Sequence, residues 1–291
     1  MSEKPMTKKS NDSTVMSGNN KKLNFFVKWA VYLASAITFG ILIFIIAFIL
    51  IRGLPSFTPK LFEWNYNTQN VSLMPSLITT FVVVGLSILI STPIGVGTAI
   101  YLVEYADRKN KFVRAIGIAT DTLAAIPSIV YGLFGMLFFV TFLGFQYSVI
   151  SGVLTAVIMV LPLIIRSTEE ALLSVGRPLR EASFALGAGK IRTIFSVILP
   201  AAAPGILSGV ILATGRVVGE TAALMYTLGT STNLPKSIFS SGRTLALHMY
   251  VLSSEGFHVD EAYATAVVLI IFVIAINGLA TWVSNKVAKG G

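Results

Sequence analysis

Six long apolar runs, separated by shorter polar stretches, cover most of this chain. They fall at about 25–51, 73–103, 115–143, 147–165, 201–228 and 262–283. A helix rising about 1.5 Å per residue needs roughly 20 residues to cross about 30 Å of hydrocarbon. The pattern therefore predicts six membrane-spanning helices in one all-α domain over 25–285. Residues 1–24 are polar, rich in Ser, Asn and Lys, and read as a disordered tail; 286–291 form a second short tail. The first run is too long for the apolar core of a signal peptide and ends at no clean small-residue cleavage site, so it is expected to stay in the mature protein. Pro75, Pro93, Pro127 and Pro162 fall inside the second, third and fourth runs. Each removes a backbone donor and is a candidate kink.

The longest polar-rich interruption is 166–200. Glu169, Glu170, Leu172 and Leu173 continue the fourth run; Gly176 breaks it, and Pro178 suits the first turn of a new helix. Leu179, Ala182 and Leu186 share one face of that short helix, which Gly187 and Gly189 end. Lys190 to Leu199 forms another, with Ile191, Ile194, Phe195 and Ile198 on its apolar side, and Pro200 and Pro204 bound the start of the fifth span. Helix, glycine turn and helix make a knob projecting from the membrane. An amphipathic helix lying on the leaflet would have the same pattern.

Composition agrees with a bilayer as solvent. The chain is 54% hydrophobic and 12% charged, about half the charged fraction of a soluble domain. It has no cysteine, which removes thiolate nucleophiles, disulfides and Cys-based metal sites. His248 and His258 are expected to be ordinary loop residues rather than a metal pair. The net charge of +9 forms no continuous stripe, so nucleic acid is not the expected partner. Counted by flanks, seventeen basic residues lie with the N-terminal tail, 104–114, 166–200 and the C-terminal tail, and four lie in 52–72 and 229–261. Basic residues collect on the cytoplasmic side, which predicts both termini there.

Arg216 and Glu220 are the charges inside the fifth run. A buried charge at mid-membrane costs about 2.5–3.5 kcal/mol on insertion scales unless it is paired or faces water. Their spacing of four places them one helical turn apart, close enough to pair. Gly205, Gly209, Arg216, Glu220, Ala223 and Thr227 fall within about 60° on a helical wheel. This small-residue stripe is expected to meet a partner subunit or line a path. The pair is also compatible with a purely structural helix lock. Asp121 reads as a wet helix end beside Arg114.

Gly187-Ala188-Gly189-Lys190 is not a nucleotide loop: Phe184 stands where a glycine is required, and Ile191 where Ser or Thr would bind Mg²⁺. Glu181-Ala182-Ser183, Gly187, Leu199 and Pro200 are instead spaced like the EAA loop of permease subunits of binding-protein-dependent ABC importers. Ser183 replaces the third Ala of that pattern and Val197 its Ile. Ile126-Pro127-Ser128-Ile129-Val130-Tyr131-Gly132 and Arg216-Val217-Val218-Gly219-Glu220-Thr221 resemble segments of the PstA-type phosphate permeases, over about 25–285 of the chain. The resemblance implies the six-helix MetI-like permease fold, with 166–200 as a cytoplasmic coupling loop that docks on an ATPase through Glu181, Ala182, Ser183, Gly187, Leu199 and Pro200. It implies Arg216 and Glu220 along a phosphate path. Its partners would be a PstC-like permease, a PstB-like ATPase dimer carrying ATP and Mg²⁺, and a PstS-like external binding protein. The chain itself would bind no cofactor or metal and catalyse nothing. Sulfate and molybdate importers share the loop, and a secondary transporter would also suit six spans, although no inverted repeat is visible.

Overall fold

The computed structural model describes residues 19–107 and 109–289. All regular structure among them is helical. Five helices are long and apolar enough to cross a membrane, and up to six if one bent pair counts as a single span. The tail expected over 1–24 lies mostly outside the described residues, as do Gly290 and Gly291.

Chain contacts divide the protein into two units, residues 1–51 and 52–291. The first holds most of α1 (Asn19–Gly53), whose apolar side chains from Phe25 to Phe44 are exposed, as befits a lipid-facing helix. The second holds α2 (Met74–Ile100), α3 (Lys111–Ala124), α4 (Ser128–Gly135), α5 (Val149–Ser174), α6 (Arg177–Ala185), α7 (Lys190–Thr193), α8 (Leu199–Val218), α9 (Ala222–Met225), α10 (Leu245–Glu255) and α11 (Val259–Lys289). Its centre is α5, 67% buried over its apolar window against 33% or less for the other candidate spans. Val153, Ala156, Met159, Val160 and Ile164 of α5 pack with Val83 of α2, Ala213 and Val217 of α8 and Phe272 of α11.

Small residues set the close approach of α5 and α8. A Cβ on Gly205 would sit 2.7 Å from Cβ of Ala171, and one on Gly209 would overlap the Ser167 side chain. The Gly205–Gly209 part of the stripe is therefore spent on α5 of the same chain and not on a partner or a path. It allows the intimate backbone contact that drives helix association in lipid.

The third run differs from the expected single crossing. Its helical parts, Val113–Ala124 and Ser128–Phe142, meet at 105°. Pro127 is the cause, because it lacks an N–H and disfavours helical geometry at Ile126. In a continuous helix the Leu123 carbonyl would accept from residue 127. Here it accepts instead from the Ile126 amide at 3.1 Å, which closes a tighter turn, and from the Tyr131 hydroxyl at 2.7 Å, which braces the bend.

The fifth run also ends early. Gly219 caps α8, so Glu220 is off the helix that carries Arg216. At the other end the run gains length. Lys190 to Val218 forms one apolar helical stretch, with a π-turn at Ile194–Ile198 just before Pro200. The wider turn accommodates a residue that cannot donate to the ladder. Likewise α5 continues through Ser174, since polar residues do not end a helix without a breaker. The segment outside helices of the 166–200 stretch shrinks to the surroundings of α6.

Candidate functional site

The two motifs inside the membrane meet each other. A Cβ on Gly132 would lie 2.8 Å from Cα of Ala223 and 3.2 Å from the Ala222 carbonyl, so α4 rests directly on the backbone of α9. Gly135, one turn on, faces Thr155 and Thr227 in the same way. Backbone cannot move aside as a side chain does. Gly132→Val should therefore destabilise the chain by about 1–3 kcal/mol or more through overpacking, read as a lower melting temperature in detergent. An unchanged melting temperature would contradict this contact.

Glu220 is 7% exposed. Its Oε1 accepts from the Ala223 amide at 3.0 Å, satisfying a first-turn donor of α9 and placing negative charge at a helix N-terminus. The expected Arg216–Glu220 ion pair is not among the salt bridges of the described residues. The physical reason is the Gly219 cap, which turns the chain before the fourth residue is reached. Arg216 occupies the last turn of α8, the favoured end for a cation. It is half-buried and lies within electrostatic reach of the Tyr131 hydroxyl. No hydrogen bond from its guanidinium is found among the described residues. Beside it, a Cβ on Gly215 would meet open space. The arrangement is a fork of donors without a hydrogen-bond partner among the described residues, next to a glycine with open space beside it and within electrostatic reach of Tyr131.

Asp121 pairs with Arg166 at 2.5 Å and not with Arg114, and Arg166 also bonds Glu169 at 2.7 Å. This ties α3 to α5. The sequence gives no spacing from which to foresee a contact 45 residues apart.

At the far end of α8, the short helix forms as α6, and Gly187 takes φ +79°, which a side chain would resist. Glu181 and Ala182 are exposed on it, together with Leu179, Phe184 and Leu186, the last at 90%. Ser183 is buried, and its hydroxyl pairs with that of Thr193 at 2.9 Å. The serine that departs from the EAA pattern thus stitches α6 to α7. Leu199 and Pro200 lie on the continuous helix beyond the π-turn and not at a break.

One residue at this knob escaped the sequence reading. Arg180 donates to Glu104 at 3.0 Å, to the Leu172 carbonyl at 2.8 Å and to the Val175 carbonyl at 3.2 Å. One guanidinium joins α6, the frayed end of α5 and the π-turn Tyr101–Tyr105 that ends α2. Lys190 over the Tyr105 ring, 4.5 Å from its centroid, adds a second link to the same turn. Only an arginine in a short amphipathic helix was visible beforehand; its three partners lie on elements that sequence cannot bring together.

Residues 91–289 match the model of the family described as binding-protein-dependent transport system inner membrane component. The chain belongs to that family. The permease is 34% identical over 275 residues, 88% of its own length and 93% of the relative's, to "Probable ABC transporter permease protein YqgI" of Bacillus subtilis. It is 39% identical over 192 residues to "Phosphate transport system permease protein PstA" of Mycobacterium leprae, covering 65% of this chain and 62% of that protein. Among solved structures, a chain of a bacterial alginate ABC transporter in complex with an alginate pentasaccharide-bound periplasmic protein superposes with a TM-score of 0.69 at 14% identity, over 93% of this permease and 98% of that chain. The all-helical ABC importer permease fold is thereby established.

Proposed function

We propose that the permease translocates inorganic phosphate as one subunit of an ATP-driven importer. The observation that carries this reading is the interlock of the two motifs. Gly132 packs on the α9 backbone, and Tyr131 beside it lies within electrostatic reach of Arg216, whose fork lacks a hydrogen-bond partner among the described residues. Arginine offers two parallel N–H groups to a phosphate and stays charged. The Mycobacterium leprae relative named for phosphate transport supports the choice of anion.

In this reading a PstC-like permease completes the path, and a PstS-like protein delivers phosphate to the side of 52–72 and 229–261. The exposed Leu179, Phe184 and Leu186 on α6 fit a groove on a PstB-like ATPase dimer, where ATP and Mg²⁺ bind. The basic flanks support a cytoplasmic position for that knob and for both termini. Glu220 belongs to the path by shaping α9 and not by touching the anion. The chain itself supplies binding and motion and carries out no chemistry.

The test is uptake by the complex purified with its companion subunits and reconstituted in vesicles. ATP-dependent accumulation of labelled phosphate, resistant to excess sulfate and molybdate, is expected. Accumulation without ATP would favour a secondary transporter. Competition by sulfate at equal concentration would assign another oxyanion.

A further inference from the structure

The segment opposite the knob buries a second arginine. Arg243 is 3% exposed and His248, on α10, is fully buried. His248 was expected in a loop; it lies on a helix because Thr244 caps α10 through the Leu247 amide. The Arg243 guanidinium stands 5.4 Å from the Tyr66 ring centroid, and the same ring meets the His248 imidazole edge-on at 6.2 Å. Tyr66 sits on a loop stapled by Asn70, which donates to Glu63 Oε2 at 2.7 Å and to the Asn65 carbonyl at 2.8 Å. The loop holds the ring over both side chains.

This cluster is short of acceptors. Arg243 Nε and Nη2 are buried without a hydrogen-bond partner, whereas the His248 ring is in polar contact with the Val71 backbone and the Tyr66 side chain with the guanidinium. No carboxylate lies within ion-pair distance of Arg243 among the described residues; Tyr66 and, at longer range, Glu255 act on its charge. Burial and then the Arg243 charge push His248 down to about 3, with the Val71 backbone opposing. The imidazole is therefore neutral near pH 7, with its single N–H turned to the Val71 backbone. A buried guanidinium without a counter-charge is costly, and such groups normally hold an ion or water. The two orphaned nitrogens are not scattered. Nε and Nη2 form one edge of the fork, the edge that grips an oxyanion side-on through two parallel N–H groups.

We propose that Arg243, His248 and Tyr66 form a buried oxyanion site, separate from Arg216. The Nε–Nη2 edge holds a small tetrahedral oxyanion, inorganic phosphate or sulfate, the neutral His248 adds no competing charge, and the Tyr66 ring covers the guanidinium. Full burial of His248 leaves no approach for the acidic side chain of another protein while the loop is closed, which favours a free inorganic ion. Phosphate and sulfate share the required geometry, and competition tells them apart.

The test uses the complex purified with its companion subunits but without an external binding protein, carrying Arg216→Gln so that the first arginine is silent. Equilibrium binding of radiolabelled inorganic phosphate is measured, with unlabelled sulfate as competitor. One saturable site per chain is expected. Adding Arg243→Gln should weaken it about tenfold or more, the scale of losing one bidentate charge-assisted contact. Arg243→Lys, which keeps the charge but not the edge, should also weaken it. Tyr66→Ala should speed release of bound label, and this holds as a readout even if Arg243→Gln fails to fold. Sulfate displacing phosphate at equal concentration would make the site a general oxyanion site, as proposed. Equal binding with and without Arg243, or no saturable binding with Arg243 present, overturns the proposal. Uptake by the wild-type complex is scored separately, so loss of this site and failure of the transport reading give different results.

Discussion

Arg216→Gln is expected to reduce phosphate uptake by about two orders of magnitude while the complex still assembles. The substitution keeps length and some hydrogen bonding but removes the charge and the paired N–H edge. Charge-assisted contacts to a phosphate are the strong class of hydrogen bond, and about 3 kcal/mol of lost stabilisation corresponds to roughly a hundredfold. Assembly should survive because Arg216 is only half-buried and lacks a hydrogen bond from its guanidinium among the described residues, so its loss strands no partner. Uptake in vesicles, with subunit stoichiometry checked by gel filtration, reads both outcomes. Normal uptake would remove Arg216 from the path. Loss of assembly would make it a helix lock.

The second large effect concerns Arg180. Arg180→Gln should leave ATP hydrolysis running but lower the phosphate moved per ATP by about tenfold, because coupling needs a contiguous contact chain with two arrangements. Arg180, on α6, hydrogen-bonds both the carbonyl end of α5 and the π-turn at the end of α2. Its side chain and that of Glu104 are 18% and 11% exposed, so breaking the pair leaves a poorly solvated charge. Glu104→Gln should do less, since both carbonyl contacts of Arg180 remain. Exchanging the two charges should not rescue coupling, because a glutamate at position 180 would face the Leu172 and Val175 carbonyls. The ratio of transport to hydrolysis in vesicles decides. An unchanged ratio in Arg180→Gln would place the lever elsewhere.

The sequence made the helices legible because membrane spans announce themselves by length and apolarity alone. It also placed the knob at α6, since Gly176, Pro178 and Gly187 are local signals. Breaks within apolar runs were harder. Pro127 was visible as a kink, but the size of the bend, 105°, and its brace from Tyr131 to Leu123 were not. The Gly219 cap was hidden inside a run long enough to read as one span, and with it the separation of Glu220 from Arg216. Helical-wheel arithmetic fails wherever the helix stops, so the stripe from Gly205 to Thr227 divided into a packing face, a half-buried arginine and a capping carboxylate. His248 was expected in a loop, and Arg243 entered only as one of the four basic residues of 52–72 and 229–261, because a polar stretch between spans gives no sign that a short helix and a stapled loop will bury it.

The division of labour between Arg216 and Glu220 is best tested by uptake in Glu220→Gln. Glutamine keeps an oxygen for the Ala223 amide and loses the charge. If Glu220 serves as a cap and Arg216 alone meets the anion, Glu220→Gln keeps phosphate uptake within about tenfold of wild type, because glutamine preserves the cap and the lost charge–dipole interaction at a buried helix start is worth at most about 1–2 kcal/mol. If uptake instead collapses to the level of Arg216→Gln, the two charges work as a pair and the capping role assigned to Glu220 is wrong.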